Sequence, residues 1–175
     1  MFEQCDVLHV LLAQLKLASN LKHFRKKGST LSQQNEQEFM KVRLDKTASL
    51  RQKGIDPYPT NYKRTHTSKE AETAFESSES RNAEFNQTIK VAGRIMGRRG
   101  MGKASFIDLS DIDGRLQIMM RKNVLNERYE ILDDLDIGDW IGVEGTLFRT
   151  RTGQITLQSE NFSVLCKSLR PLPEK

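Results

Sequence analysis

The sequence has little of what builds disulfide scaffolds and metal sites. Cysteine occurs twice in 175 residues, at Cys5 and Cys166, far apart and never as C-x-x-C. Neither a disulfide framework nor a zinc site is expected, and no metal ligand is assigned. The three histidines, His9, His23 and His66, are scattered and read as packed or exposed side chains. Long apolar runs are also missing. The nearest approach, Val7–Leu21, is interrupted by His9, Gln14, Lys16 and Asn20. It is too short to span a bilayer and follows Glu3 and Asp6 instead of the basic start of a secretion signal, so no membrane partner is expected. A short amphipathic helix suits it better. Two cysteines without an export signal fit a reducing, cytoplasmic setting.

Acidic residues are outnumbered, 23 against 28 Lys and Arg, for a formal charge of +5. That balance admits a nucleic-acid partner without requiring one. The local pattern is more informative. Between Thr88 and Lys103 stand Lys90, Arg94, Arg98, Arg99 and Lys103, with no acidic residue among them. Part of this stretch, GRRGMGKA at 97–104, has the G-x-x-x-x-G-K spacing of a phosphate-binding P-loop. A P-loop then needs Ser or Thr for the metal ion and a helix whose first amides hold the phosphates. Position 104 is Ala, and the alternating ASFIDLSD that follows reads as a strand. A P-loop is not expected. The segment reads as a basic connection between two strands, either solvated or placed to meet phosphates.

Residues 1–33 form an atypical N-terminal extension, and 34–80 a helical region. Asn35–Lys53 places Glu36 and Glu38 early, Arg51 and Lys53 late, and Gly54 just beyond. That order matches the helix dipole and a glycine C-cap. Pro57 and Pro59 forbid continuation. A second helix is expected from Thr67, in a T-x-x-E capping box with Glu70, to about Phe75. From residue 87 the pattern alternates. Strands are expected over 88–97, 103–110, 115–121, 139–150 and 154–164, with a helix from Val124 to Leu135. The class is mainly β, and a helix after the third of five strands is the order of a Greek-key OB-fold barrel, spanning 87–166. A mixed α+β sandwich is the alternative.

Parity then assigns faces. Ile89, Val91, Ile95, Ile107, Leu109, Leu116, Ile118, Ile155 and Leu157 point inward. Lys90, Arg94, Met96, Phe106, Asp108, Gln117, Gln154, Thr156 and Gln158 point outward. A cation (Arg94), a ring (Phe106) and two amides (Gln117, Gln154) thus share one outer face, where OB-folds bind oligonucleotides. An exposed ring stacks an unpaired base, amides read base edges, and arginine meets phosphate or a base plane. The competing reading packs Phe106 beneath an N-terminal helix. A general single-strand binder normally displays several such rings, and one candidate is found.

Five segments carry a resemblance: RLDKTASLRQKGIDPYP, VAGRIMGRRGMGKASFIDLSD, DGRLQI, GDWIGVEGTLFRTRTGQI and KSLRPLPEK. From about Gln37 to Lys175 the chain resembles the N-terminal, anticodon-binding part of class II lysine–tRNA ligases. The first thirty or so residues do not resemble the usual family start. The resemblance implies tRNA, specifically lysine tRNA, as partner. It gives Arg94 the place of the arginine in AGR, Phe106 that of the base-stacking phenylalanine in ASF, and Gln117 that of the base-reading glutamine after DGR. Gln154 stands where the family turn reads TGE, so an amide replaces a carboxylate and keeps an acceptor oxygen without the charge. Arg98, Arg99 and Lys103 are expected at the phosphate backbone.

In the family KSLRPLPEK leads to a catalytic domain that uses ATP and Mg²⁺. No class II catalytic motif occurs in these residues, so 167–175 reads as a truncated linker, no catalytic residue or cofactor is assigned, and this chain alone is not expected to aminoacylate. Three roles follow: a stand-alone anticodon-binding module, a fragment of an active ligase, or a regulatory subunit docking through Val7–Leu21. A full-length ligase or a second copy would then be the protein partner.

Overall fold

The computed structural model describes residues 36–172. The chain divides into two compact units, Met1–Lys41 and Val42–Lys175. Of the first, residues 36–41 are described and helical. The expectations for residues 1–33, the Val7–Leu21 helix included, and for the end of the linker lie outside the described residues.

Helix α1 covers 36–52 and, within the second unit, buries Leu50. Its end is the expected glycine cap. Gly54 takes φ +74°, and the N–H groups of Gly54 and Ile55 return to the carbonyls of Arg51 and Leu50 at 3.0 and 2.9 Å. Helix α2, Ser68–Ser80, starts with the expected capping box: Glu70 N–H donates to Thr67 Oγ1, and Thr67 N–H to the Glu70 carboxylate. It runs five residues past the expected end. The serines of its last turns donate to carbonyls one turn back, Ser77 to Thr73 and Ser80 to Glu76, so the polar run satisfies itself within the helix. Asn82, at φ +52°, supplies the left-handed residue that stops it.

Strands β1 (Ile89–Met101), β2 (Ala104–Ser110), β3 (Arg115–Arg121), β4 (Trp140–Arg149) and β5 (Ile155–Cys166) close a barrel in the order β1-β2-β3-β5-β4. The β3–β5 pair is parallel and all others are antiparallel. The sandwich alternative is thereby set aside. Nearly all the expected inward residues are fully buried, among them Ile89, Val91, Ile107, Leu109, Ile118 and Leu157. From α2, Ala71 and Phe75 join this core. Between β3 and β4 the expected helix is a short α3, Lys122–Leu125, followed by a 3-10 segment, Asn126–Asp134. Asn126 at φ +50° breaks it in two, while Leu125, Ile131 and Leu132 still reach the core.

One expectation fails within β1. The strand runs four residues past its expected end, so GRRGMGK is mostly strand, and the connection is the two-residue turn Gly102–Lys103. Gly102 at φ +60° in the first turn position suits a type II′ hairpin. A bulge leaves Met96 without a partner between the Ile95–Leu109 and Gly97–Asp108 pairs. Such an extra residue reverses parity beyond it.

A polar cluster fastens α1 and the segment after β5 to the turn before β4. Lys167, fully buried, donates to Asp139, to Asp136 at 2.9 Å and to the Asp134 carbonyl at 2.7 Å. From α1, Lys46 reaches Asp136 at 2.6 Å, and Lys53, in the turn just after it, reaches Asp134 at 2.7 Å. Arg43 donates to the carbonyls of Ser168 and Ile137 at 2.6 and 3.0 Å. Burial raises the Asp136 pKa, but the hydrogen bonds from Lys46 and Lys167 outweigh it and hold this carboxyl below its usual range.

Candidate nucleic-acid interface

Residues opposed across a ladder share a face, so the strand register maps the outside of the barrel. One row runs Arg99, Phe106, Met119, Gln158, Thr146. The next runs Gly97, Asp108, Gln117, Thr156, Phe148. A third holds Arg94, Ser110 and Arg115, with Trp140 on the other side of Arg94. Successive rows lie two residues, or about 7 Å, apart along the strands.

Phe106 stands outside the core cluster and keeps part of its ring accessible. Its neighbour Met119 is 4% exposed and also outside that cluster, so it forms an apolar floor beside the ring on the outer face. Gln117, one row on, is 8% exposed, and its Oε1 accepts from Thr156 Oγ1 at 3.0 Å. Gln154 precedes β5 in the tight turn 150–154. Its backbone is held by Thr150 on both sides, N–H to Thr150 Oγ1 at 3.0 Å and carbonyl from Thr150 N–H at 2.9 Å. Its side chain is exposed and has no hydrogen-bond partner among the described residues. Gly153 at φ +88° makes that turn possible.

Arg94 lies two rows from Phe106, about 14 Å along β2. Its guanidinium carbon sits 5.5 Å from the Trp140 ring centre, a cation–π contact that holds it along the sheet. The three expected phosphate contacts divide. Arg99 is outward, beside Phe106, with a loose ion pair to Asp108 at 3.3 Å. Lys103 is exposed in the hairpin turn. Arg98 goes elsewhere. It lies beyond the Met96 bulge opposite inward Ile107, and its guanidinium donates to the Leu132 carbonyl and reaches Asp133 at 3.5 Å. The structure therefore joins Phe106, Gln117, Arg99 and the Gln154 turn, sets Arg94 at the far side, and removes Arg98.

Trp140 carried no sequence signal that marked it for this face. Met119 and Thr156 did: parity places Met119 with Gln117, two residues before it, and Thr156 with Gln154. No helix among the described residues is long and apolar enough to cross a membrane.

Residues 89–172 match the tRNA anti-codon family, described as an OB-fold nucleic acid binding domain. The closed five-stranded barrel with its helix after β3 is the OB-fold architecture which that family model describes, and residues 89–172 are similar to it. Over 139 residues, 79% of its length, the chain is 48% identical to a lysine–tRNA ligase of Carboxydothermus hydrogenoformans, covering 27% of that protein. A lysine–tRNA ligase of Pelotomaculum thermopropionicum is 50% identical over 139 residues, with 26% of its length covered. One of Bacillus subtilis is 41% identical over 138 residues, with 28% covered. The chain thus spans about a quarter of the length of the curated relatives it matches. Within the OB-fold, the outer rows of β1–β3 and β5 are the face with an accessible ring, two amides and unburied cations.

Proposed function

We propose that this OB-fold binds the anticodon loop of a tRNA, with lysine tRNA as its preferred partner. The observation that carries the reading is the shared outer face on which Phe106, backed by Met119, lies one row from Gln117 and beside Arg99. Phe106 stacks an unpaired base, Gln117 and Gln154 contact base edges or sugar, and Arg94, steadied by Trp140, meets phosphate or a base plane. Arg99 and Lys103 supply attraction that weakens with salt. Asp108 beside Arg99 moderates that attraction and favours a loop over a uniformly basic track.

The expected result for Phe106→Ala is a loss of about 1–3 kcal/mol in affinity for a lysine-tRNA anticodon stem-loop. The slope of affinity against salt should not change, because no cation is removed. Titration at two salt concentrations checks both, and an unchanged affinity removes stacking from the reading. A second reading is favoured by the quarter-length match: the domain is one part of a longer lysine–tRNA ligase whose remaining length uses ATP and Mg²⁺ to aminoacylate. The contacts assigned here are the same in either case.

A further inference from the structure

Gln117 and Thr156 are paired across the parallel β3–β5 ladder and lie on the outer face, yet one is 8% and the other 0% exposed. The Thr156 hydroxyl faces two acceptors, Gln117 Oε1 at 3.0 Å and the Gln154 carbonyl at 3.4 Å. A hydroxyl has one proton, and the shorter contact takes it. With Oε1 so engaged, the amide nitrogen is the free end. Gln117 Nε2 has no hydrogen-bond partner among the described residues and is not among their buried unpartnered atoms, so it retains contact with solvent. The reverse amide orientation would rely on the longer Thr156–Gln154 contact for the hydroxyl proton and turn the carbonyl outward.

We infer that Thr156 is a positioning residue: its hydroxyl fixes the Gln117 side chain carbonyl-inward, so that the outer face offers a hydrogen-bond donor to the base beside Phe106. The inference rests on the base-reading role proposed for Gln117. A locked donor pairs with a base carbonyl, which accepts from it, and rejects an exocyclic amine, because facing two donors leaves both unsatisfied. Uracil presents a carbonyl where cytosine presents an amine. Thr156 therefore makes the site discriminate uracil from cytosine, and a free amide, able to turn over, would serve either.

The test titrates the protein with a lysine-tRNA anticodon stem-loop and with the same RNA carrying cytosine at each anticodon uridine in turn. At one position the wild-type protein should prefer uracil by about tenfold or more. Thr156→Val, which keeps shape and removes the hydroxyl, should reduce that preference to within about twofold while leaving the salt slope intact. Thr156→Ser should restore it, which a purely packing role for the methyl group would not allow. Gln117→Ala separates the two claims. If it abolishes the preference and Thr156→Val does not, the positioning role is overturned alone; if it leaves the preference intact, the base-reading role falls and takes the positioning role with it. Should Thr156→Val fail to fold, nuclear Overhauser contacts in the wild-type protein decide. Gln117 amide protons remote from the Thr156 hydroxyl-bearing carbon support the lock, and close contact overturns it.

Discussion

Replacing Lys167 by methionine is expected to cost about 3–5 kcal/mol of folding stability, the range for breaking a buried ion pair by removing one partner. The ammonium has three protons and three acceptors, on Asp139, Asp136 and the Asp134 carbonyl, and no solvent access. Without it the Asp139 carboxylate stays at zero exposure beside a second acid. The N–H groups of Ser168 and Asp136, which donate to Asp139 at 2.8 Å, cannot replace a full charge. Urea denaturation measures the loss. The double variant Lys167→Met with Asp139→Leu should recover part of it, because the unpaired buried charge is gone while the Ser168 and Asp136 N–H groups and the Asp134 carbonyl lose their partners. A single-variant loss below about 1 kcal/mol would show that water reaches this cluster.

Gly145→Ala is expected to be nearly as damaging. An added Cβ would lie 1.9 Å from the Gln158 carbonyl oxygen and 3.2 Å from Glu160 N, both backbone atoms of the paired strand β5. No rotamer change relieves a backbone clash. Gly145 sits where the β4–β5 register shifts, opposite Ser159, so the strands approach there to accommodate the bulge. Forcing them apart should cost at least the upper part of the about 1–3 kcal/mol usual for overpacking. Gln158 lies in the same outer row as Phe106, so weakened RNA binding should accompany the loss. Gly100→Ala is the control. Its added Cβ meets nothing within 4 Å, and its backbone is ordinary strand, so stability should hold or rise slightly. Equal effects from the two substitutions would exclude the steric account.

Much of this architecture was legible from local chemistry. The Thr67–Glu70 box and Gly54 fixed helix ends because caps are decided by a few adjacent residues. Alternation located all five strands and sorted Phe106 from Ile107, since a pleated strand buried on one face allows no other assignment, whereas β3 is buried on both faces and Gln117 is told from Ile118 by its register with Asp108 and Thr156. What stayed hidden depended on partners distant in sequence. The bulge at Met96 has no local mark, and it alone turned Arg98 inward to Leu132 and Arg99 outward to Phe106. KSLRPLPEK reads as a linker, yet Lys167 is an anchor because Asp134, Asp136 and Asp139 converge on it from some thirty residues away. Gln117 reads as a free exposed amide, and only the parallel pairing with Thr156 shows that one end is occupied.

The indole beneath Arg94 is the sole tryptophan in the chain. Its emission is therefore a built-in optical reporter of that corner of the sheet. A strand that draws the guanidinium toward a phosphate alters the field over the indole, so intensity or wavelength should shift on titration without any attached dye. Phe106→Ala should leave the amplitude of that signal at saturation while moving its midpoint, whereas Arg94→Ala should remove most of the change itself.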